Sequence, residues 1–415
     1  MRLHVDRLSK SGEGVSQHDG RAVFIAGALP GEEVEAELHE EGKVLRGELR
    51  SVIAPSVDRR EPVCALATTC GGCDWMHLQD TAQLREKQQV VVSALAHLGG
   101  IAPGDYALLP PIASRAHVGY RRRAVLHPTA GRLGFHARRS HQRVVVERCP
   151  ALTGPLASLP AQLADRLAPL LKELDEARLL ECEGRVAVSL HFKAQLKPRF
   201  RDVAEVCVRE GLVDGVVLHP AEGKGGFTTV GRPVLEEDGV LHRPDGFAQA
   251  NAEVNRALVS QAIELLEPGP ESRVLELYSG NGNFTFRLAR HAKSVLAVES
   301  FPLSVSLAQD AARRAGVQNV RFVQGDSEKI AKGLVGERER FDLLLVDPPR
   351  AGAPGVGAWA GGLLVSRVVY VACDPTSLAR DAKELAACGF RPLALQVVDL
   401  FPQTHHVEAV MAFSR

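Results

Sequence analysis

The chain has 415 residues, of which 45% are hydrophobic, so it is long enough for two or three domains with a sizeable core. Its 50 basic and 50 acidic residues cancel, so net charge alone cannot attract the protein to nucleic acid. Any such attraction must come from local clusters of basic residues. We find neither an apolar run of membrane-spanning length nor a signal peptide, and we therefore expect a cytoplasmic protein without membrane contact.

The first domain is predicted over residues 1–54. Its strand-like alternation is broken by glycine and proline, which indicates several short antiparallel strands in an OB-like β-barrel. Such barrels often bind oligonucleotides. However, residues 1–53 hold seven Lys or Arg against ten Asp or Glu, so a spacer or weakly contacting module is nearly as well supported as an RNA-binding one.

A central domain of mixed α+β type is predicted over residues 55–250, and it opens with clustered cysteines. Three of them follow the pattern C-x5-C-x2-C with two glycines inside the tight pair, and a fourth, Cys149, precedes a proline. Four thiolates suit either an iron–sulfur cluster or structural zinc. The isolated Cys182 and Cys207 lie in apolar-periodic stretches and are interpreted as core residues. The candidate metal ligands are Cys64, Cys70, Cys73 and Cys149.

Basic residues concentrate in residues 111–150, after a predicted helix over 81–98. This segment has nine arginines, one acidic residue, and interleaved tyrosine, phenylalanine and histidine. Because arginine makes bidentate phosphate contacts and stacks on bases, the pattern favours a nucleic-acid surface over a merely solvated face. The candidate RNA contacts are Arg121, Arg122, Arg123, Arg138 and Arg139.

The third domain, residues 251–415, alternates strands with helices, which is typical of a doubly wound parallel sheet. A glycine-rich turn, SGNGNF at 279–284, joins the first strand to a helix. The third glycine of the dinucleotide fingerprint is replaced by Thr285, which disfavours nicotinamide. Glu299, at the end of the next strand, is placed for ribose hydroxyls, and Asp326 for an adenine amino group. S-adenosylmethionine fits this set, although either acid alone would also suit a surface position or a helix cap.

Three further residues occupy positions where chemistry is expected. Asp347 follows the strand LLLV and is followed by two prolines, so it lies on a stiff loop beyond a strand's carboxyl end. Cys373 lies at another strand end just before a helix, where the helix dipole is expected to lower its pKa. Glu408 lies inside VEAVMAF, where an acid is costly unless it is paired, catalytic, or on an exposed edge.

These segments together resemble the RNA uracil-5 methyltransferase family, whose members form 5-methyluridine. The resemblance covers nearly the whole chain. It is carried by the four cysteines, FAQAN (247–251), ELYSGNGNF (276–284), DPPRAG (347–352), YVACDP (370–375) and FPQTHHVE (401–408).

The resemblance implies a fold and a set of roles. Residues 251–415 would be a Rossmann-like class I S-adenosylmethionine-dependent methyltransferase domain, the N-terminal barrel a TRAM domain, and the metal a [4Fe-4S] cluster on the four cysteines. Cys373 would be the nucleophile that adds to C6 of uracil, and Glu408 the base that removes the C5 proton. Ribosomal RNA of the 23S type is the implied substrate, with transfer RNA as the alternative, and we expect a monomer. The implied cofactor contacts are Gln249, Tyr278, Asn283, Glu299, Asp326 and Asp347.

Two positions depart from the family pattern. Ser279 stands where the family usually has Cys, and this change is conservative in size. Asp374 stands where the family has Asn, and its added negative charge is expected to oppose formation of the Cys373 thiolate.

Two other functions compete with uracil methylation. An amino methyltransferase is one, because Asp-Pro-Pro motifs also serve methylation of exocyclic nitrogen, but it would need neither Cys373 nor Glu408. A non-catalytic iron–sulfur protein that binds RNA or assists assembly is the other, and it would not bind S-adenosylmethionine.

Overall fold

The computed structural model describes residues 1–415, which form an N-terminal, a central and a C-terminal sheet. The N-terminal strands are β1 (Arg2–His4), β2 (Arg7–Leu8), β3 (Gly14–His18), β4 (Arg21–Ile25), β5 (Glu33–Glu41) and β6 (Val44–Ala54). They pair in the order β1-β5-β6-β4-β3-β2, antiparallel except for β4 with β6. Along β5, Val34 and Ala36 are buried while Glu35 and Glu37 are exposed, the period of two of a strand with one face on a core. The predicted short strands are therefore present.

Residues 80–112 differ from the predicted domain division. Helix α1 (Asp80–Ala94) continues as a π-helical turn (Leu95–Gly99) and ends at Gly100, whose φ of +67° suits a glycine cap. The next strand, β7 (Ala107–Leu108), is the edge of the C-terminal sheet. Val91 and Leu95 are buried in that sheet's core. This segment thus packs on the C-terminal unit, because its apolar helix face finds its partner there.

The central unit is a seven-stranded sheet covered by three helices. The sheet order is β10-β9-β8-β11-β12-β13-β14, and its main core holds 24 buried residues, including Cys207. Cys182 is buried in a small neighbouring cluster, so both cysteines interpreted as core residues are confirmed. The elements are β8 (Arg123–Thr129), β9 (Arg132–His136), β10 (Arg143–Val145), α2 (Gly154–Ala157), α3 (Leu159–Leu167), β11 (Leu174–Cys182), β12 (Arg185–Phe192), α4 (Pro198–Arg209), β13 (Gly215–His219) and β14 (Thr228–Gly231), followed by the hairpin β15 (Leu235–Glu237) and β16 (Val240–His242).

The C-terminal unit is the predicted doubly wound α/β fold. Its eight strands lie in the order β19-β18-β17-β20-β21-β23-β22-β7, and only β23 runs antiparallel to its neighbours. The elements are α5 (Ala252–Leu266), β17 (Arg273–Leu277), α6 (Thr285–Leu288), β18 (Ser294–Glu299), α7 (Pro302–Ala315), β19 (Val320–Gln324), α8 (Ser327–Gly336), β20 (Leu343–Val346), α9 (Val356–Gly362), β21 (Arg367–Ala372), α10 (Pro375–Ala387), β22 (Arg391–Val398) and β23 (Glu408–Ser414).

The continuous apolar run of β20 is explained by burial on both faces of the sheet. Leu344 and Val346 belong to the core on the side of α1, α9 and α10, whereas Leu343 and Leu345 belong to the core on the side of α5. A strand covered by helices on both faces needs apolar residues at every position.

No helix in the protein is both long and apolar enough to cross a membrane.

Candidate active site

The predicted site residues gather at one edge of the C-terminal sheet. The strand order reverses between β17 and β20, and ligands of open α/β sheets bind beyond the carboxyl ends of strands at such a point. Four of the candidates come at or just after the ends of four adjacent parallel strands, and they are Tyr278, Glu299, Asp326 and Asp347.

The register of β21 and β23 brings Cys373 and Glu408 together. Ala372, the last residue of β21, pairs with Ala409 in antiparallel β23. Cys373 therefore leaves the sheet opposite Glu408, although 35 positions separate them in the numbering. Glu408 is only 3% exposed. It lies in the middle of the sheet rather than on an edge strand, so the alternative of an edge-facing glutamate is wrong.

The charge of Asp347 is coupled to the groups on both sides of it. Burial and then the charges of Glu408 and Asp347 together raise the pKa of Cys373 to about 12. Burial, then the charge of Asp347, also raises the pKa of Glu408. The pKa of Asp347 is itself raised to about 7, by burial and by Glu299. Asp347 thus interacts with the Cys373–Glu408 pair on one side and with Glu299 on the other.

The expectation of a low pKa for Cys373 is wrong for the free protein. Desolvation of the thiolate outweighs the helix dipole, because the residue is partly buried among acids. Asp374 is not among the main causes. Its carboxylate caps α10 by accepting hydrogen bonds from the Thr376 and Ser377 amides, each 2.9 Å long. The charges that raise the pKa of Cys373 are therefore those of Glu408 and Asp347, and not the expected one of Asp374.

The loop that carries Asp347 is anchored to α10. The Asp381 carboxylate is fully buried and accepts hydrogen bonds from the Ala353 amide (2.7 Å) and the Tyr370 hydroxyl (2.6 Å). Gly352, at a φ of +77°, packs against Asp381, where any side chain would collide. Arg350 is exposed and lies 3.3 Å from Nδ1 of His406. The segment after β20 is therefore anchored to α10, and it carries the exposed cation of Arg350 at its tip.

The glycine-rich turn after β17 reverses the chain through left-handed backbone conformations. Tyr278 (φ +63°), Gly280 (+56°) and Gly282 (+97°) all adopt them. A Cβ on Gly282 would lie 2.5 Å from the Phe286 ring, so this position admits only glycine. The non-glycine Tyr278 is strained, as residues at ligand sites often are, and burial raises its pKa to about 12.

Glu299 and Asp326 both have partners within the protein. Oε2 of Glu299 accepts a hydrogen bond from the Gly280 amide (2.9 Å), and Oε1 accepts one from the Phe301 amide (2.7 Å). Glu299 therefore holds the glycine-rich turn against β18. Asp326 is exposed and caps α8 through the Lys329 amide (2.9 Å). The predicted possibility of a helix cap is confirmed for Asp326, and its second carboxylate oxygen accepts no hydrogen bond from the protein.

Gln249 and Asn283 both lie beside α5. The two side-chain amides of Asn283 and Asn255 bond to each other, at 2.8 and 3.0 Å. Asn251 caps the same helix, two residues after Gln249. Gln249 is 8% exposed and its side chain makes no hydrogen bond to the protein, so its amide is free for a ligand.

Glu276 was not predicted as a site residue. It is fully buried in β17, and burial, together with Asp347 and Glu299, raises its pKa to about 8. The Thr285 hydroxyl donates to its Oε2 (2.6 Å), but its Oε1 has no partner. A glutamate inside the apolar run VLELY was the sequence signal for this residue. Glu276 therefore forms a cluster of three charge-coupled acids with Asp347 and Glu299 beneath the glycine-rich turn.

Ser279 is less neutral than its size suggests. The residue is buried, and its hydroxyl has no hydrogen-bond partner. A buried unpaired hydroxyl is destabilising, which the weaker S–H donor of the family's Cys largely avoids.

The four candidate metal ligands converge although Cys149 is distant in sequence. Cys64, Cys70, Cys73 and Cys149 line one apolar cavity of about 180 Å³, and none forms a disulfide. Burial raises the pKa of Cys73 to about 12 and raises those of Cys70 and Cys149. No three His, Cys, Asp or Glu side chains are close enough to hold a single metal ion.

The predicted RNA surface is wrong for Arg122. This residue is 1% exposed; it forms an ion pair with Glu237 and donates to the Gln249 carbonyl (2.7 Å). Burying the guanidinium costs less than usual because its donors are paired. Arg122 therefore fixes the segment that enters the site and cannot contact RNA.

The other four arginines are also engaged within the protein. Arg138 donates to the carbonyls of Ala67 (3.1 Å) and Cys73 (3.3 Å), and Arg121 lines the cysteine cavity. Arg139 pairs with Glu13 of the N-terminal sheet (2.6 Å). Arg123 lies over the exposed ring of Phe247, 5.4 Å from its centroid. Arg138 and Arg121 thus serve the cysteine loop, whereas Arg139 and Arg123 bind other segments of the protein.

Residues 399–407, which lead into β23, are held by side chains from earlier in the chain. Lys87 of α1 donates to Asp399 (2.6 Å) and to the Phe401 carbonyl (2.9 Å), and both charged groups are buried. The Tyr120 hydroxyl donates to the Pro402 carbonyl (2.8 Å). Gln403, at a φ of +67°, bonds with Gln83 of α1 (2.7 Å). The position of Glu408 therefore depends on segments outside the sheet.

Known proteins match both the sequence and the fold. The family tRNA (uracil-5-)-methyltransferase matches residues 240–415. The 23S rRNA (uracil(1939)-C(5))-methyltransferase RlmD of Aeromonas hydrophila is 36% identical, over 99% of this chain and 95% of that protein. The protein of the same name from Pseudomonas putida is also 36% identical, over 99% and 93%. The structure of the Pyrococcus abyssi tRNA (uracil-54, C5)-methyltransferase with S-adenosyl-L-homocysteine shares the fold, with a TM-score of 0.78, 22% identity and coverage of 100% and 99%.

The chain is more than 30% identical to such enzymes over nearly its full length. It also has the four cysteines, the glycine-rich turn and the paired Cys373 and Glu408 on which the resemblance to the family depends. The chain belongs to the RNA uracil-5 methyltransferase family.

Proposed function

We propose that this protein transfers a methyl group from S-adenosylmethionine to C5 of a uridine in 23S ribosomal RNA. The observation that carries the proposal is that Cys373 and Glu408 lie opposite each other across β21 and β23. Asp347 lies between this pair and Glu299, and its charge is coupled to both. Ribosomal RNA is favoured over transfer RNA because relatives with that named activity align over the whole chain.

The reaction divides a difficult substitution into easier steps. The Cys373 thiolate adds to C6 of uracil, which makes C5 electron-rich as an enolate. C5 then attacks the methyl group of S-adenosylmethionine, the bond from sulfur to that methyl group breaks, and S-adenosylhomocysteine is released. Glu408 removes the C5 proton, the C5=C6 bond reforms, and the thiolate leaves. The base must be unstacked for C6 to be reached, so we expect a flipped nucleotide in a single-stranded RNA segment.

The raised pKa values suit these roles. A carboxylate with a raised pKa is a stronger base for the C5 proton than an ordinary glutamate. A thiolate of high pKa is intrinsically more nucleophilic once formed. Arg350 lowers the pKa of both groups, so its approach toward them during substrate binding would favour ionisation.

We propose that Gln249, Tyr278, Asn283, Glu299, Asp326 and Asp347 contact the cofactor. Carboxylates at the ends of β18, β19 and β20 offer acceptors for the ribose and adenine and a negative field for the sulfonium. Oδ2 of Asp326 and the amide of Gln249 are free of protein hydrogen bonds, which supports this assignment. Asp347 would serve the cofactor and the uracil edge together.

We propose further that the cysteine cavity holds a [4Fe-4S] cluster and that the N-terminal sheet is a TRAM domain. Four cysteine thiols around one shared apolar space support this assignment, because thiolates are the ligands of iron–sulfur clusters. A bound cluster would replace the thiol protons. No electron enters the proposed reaction, so its role would be architectural.

The decisive experiment is substitution of the two catalytic side chains, assayed with 23S rRNA and with transfer RNA. Cys373→Ala should abolish methyl transfer, whereas Cys388→Ala, which changes the other free thiol of the C-terminal unit, should leave it intact. Glu408→Gln should trap a covalent enzyme–RNA adduct on a denaturing gel. Full activity of Cys373→Ala would favour an amino methyltransferase, and absence of S-adenosylmethionine binding in calorimetry would favour a non-catalytic RNA-binding protein.

A further inference from the structure

Four hydrogen bonds join residues 74–75 to residues 403–405. The amides of Asp74 and Trp75 donate to the Gln403 carbonyl, at 3.1 and 2.9 Å. In return, Asp74 Oδ1 accepts from the His405 amide (3.0 Å), and Asp74 Oδ2 bonds to the His405 ring. Two segments more than 300 residues apart are thus paired through backbone and side chain together.

The position of Asp74 is set by the cysteine loop. It directly follows Cys73, whose carbonyl accepts a hydrogen bond from Arg138. Trp75, 1% exposed, donates from its indole to the Gly12 carbonyl (3.0 Å). A Cβ on Gly12 would lie 2.7 Å from Cβ of His405, so the N-terminal sheet also closes on this point. Asp74 is therefore held on one side by the cysteine loop and on the other by Trp75, which the N-terminal unit anchors.

The other end of the connection reaches the catalytic residues. The His405 ring packs on that of His406, with centroids 4.2 Å apart, and His406 lies 3.3 Å from Arg350. Glu408 begins β23 only two residues later. Its carboxyl makes no hydrogen bond to the protein, so its direction depends on the backbone that enters the strand.

From these contacts we infer that Asp74 is a positioning residue for the catalytic base. Asp74 holds residues 403–406 in the conformation that aims Glu408 at C5, and it does so only when the cysteine loop is formed. The metal centre would thereby control proton removal without taking part in it. This inference rests on the proposed function, because it assigns a role within that reaction.

The test separates the step that needs Glu408 from the step that needs Cys373. In Asp74→Ala, addition of Cys373 to C6 and methyl transfer should continue, while proton removal slows by about 100-fold, since small misplacements of catalytic groups have effects of that size. The covalent enzyme–RNA adduct should then accumulate, as in Glu408→Gln. Asp74→Asn keeps an acceptor for the His405 amide and should recover part of the rate.

Asp58→Ala is the matched control, because Asp58 pairs with Arg85 (2.8 Å) in the same segment and makes no side-chain bond to residues 399–407. It should behave as the unsubstituted protein. Iron content and visible absorption should be unchanged in Asp74→Ala. Hydrogen exchange, measured by mass spectrometry, should be faster across residues 399–408 in this variant and also in protein treated to remove metal.

Two outcomes would overturn the inference. One is an Asp74→Ala variant that releases product at the normal rate without adduct accumulation. The other is unchanged hydrogen exchange across residues 399–408 after the cysteine loop is emptied. If Glu408→Gln also traps no adduct and Cys373→Ala stays active, the proposed function itself fails instead.

Discussion

The buried pair of Lys87 and Asp399 offers a quantitative test of how the catalytic edge is supported. The Lys87 side chain is 0% exposed and that of Asp399 is 2% exposed, with Nζ 2.6 Å from Oδ1. Lys87→Met keeps most of the side-chain volume but leaves the Asp399 carboxylate buried without its cation. Removing one partner of a buried pair costs about 3–5 kcal/mol. The Phe401 carbonyl, 2.9 Å from Nζ, loses its donor as well.

The free-energy change should appear as a lower melting temperature of the C-terminal unit. For a unit of its size, each kcal/mol corresponds to a shift of about 2–4 °C, so a loss of about 3–5 kcal/mol in Lys87→Met should lower the melting temperature by roughly 6–20 °C. Because residues 399–407 begin at this pair, methyl transfer should fall too. Differential scanning calorimetry and a single-turnover assay measure the two effects.

The double variant Lys87→Met/Asp399→Leu decides whether the buried charge is the cause. Replacing both ions by apolar groups is often nearly neutral, so the double variant should recover at least half of the lost melting temperature. A single variant within about 2 °C of the unsubstituted protein would contradict the reasoning. A double variant less stable than the single one would show that packing, not charge, dominates.

Three further predictions concern the site itself. In Glu408→Gln the pKa of Cys373 should fall by about one unit or more because a neighbouring negative charge is removed; alkylation by iodoacetamide at pH 10 should then be at least about 10-fold faster, and an unchanged rate would contradict the coupling. S-adenosylmethionine should bind more tightly as pH rises from 6 to 9, since Asp347 (pKa about 7) and Glu276 (about 8) become anionic over this range and attract the cation. S-adenosylhomocysteine, which lacks the sulfonium charge, should show a weaker pH dependence in calorimetry, and equal dependence would argue against the acid cluster. Ser279→Ala removes a buried hydroxyl without a partner and should stabilise the protein by about 1 kcal/mol in thermal melts; destabilisation would mean that a bound water satisfies the group.

Local sequence patterns were sufficient where one element decides its own structure. The strand expected to end at Glu299 does end there, and α7 begins at Pro302, because apolar periodicity and a proline at the helix start are local signals. Helices α8 and α9 were not predicted. Helix α8 is capped by Asp326, the residue that the sequence places near the adenine amino group.

Charge was the least predictable property, because its consequences depend on distant neighbours. Arg122 looked like an RNA contact beside Arg121 and Arg123, but Glu237 pairs with it in the interior. The helix dipole predicts an activated Cys373, but burial and then the charge of Glu408 raise its pKa instead. In both cases the decisive partner lies at least 35 residues away in the numbering.

The sequence by itself determined the kind of chemistry, since the thiol, the acids and the glycine-rich turn are residue types that only certain reactions need. It also determined that the residues after parallel strands share one edge of the sheet, because strand direction requires it. Only the tertiary structure decided how these groups act on one another. The antiparallel register of β23 places Glu408 opposite Cys373, and hydrogen bonds from residues 74–120 hold the chain that enters this strand. Such pairings join segments from 35 to more than 300 residues apart, and no local pattern encodes them, because burial and charge coupling are properties of the packed interior.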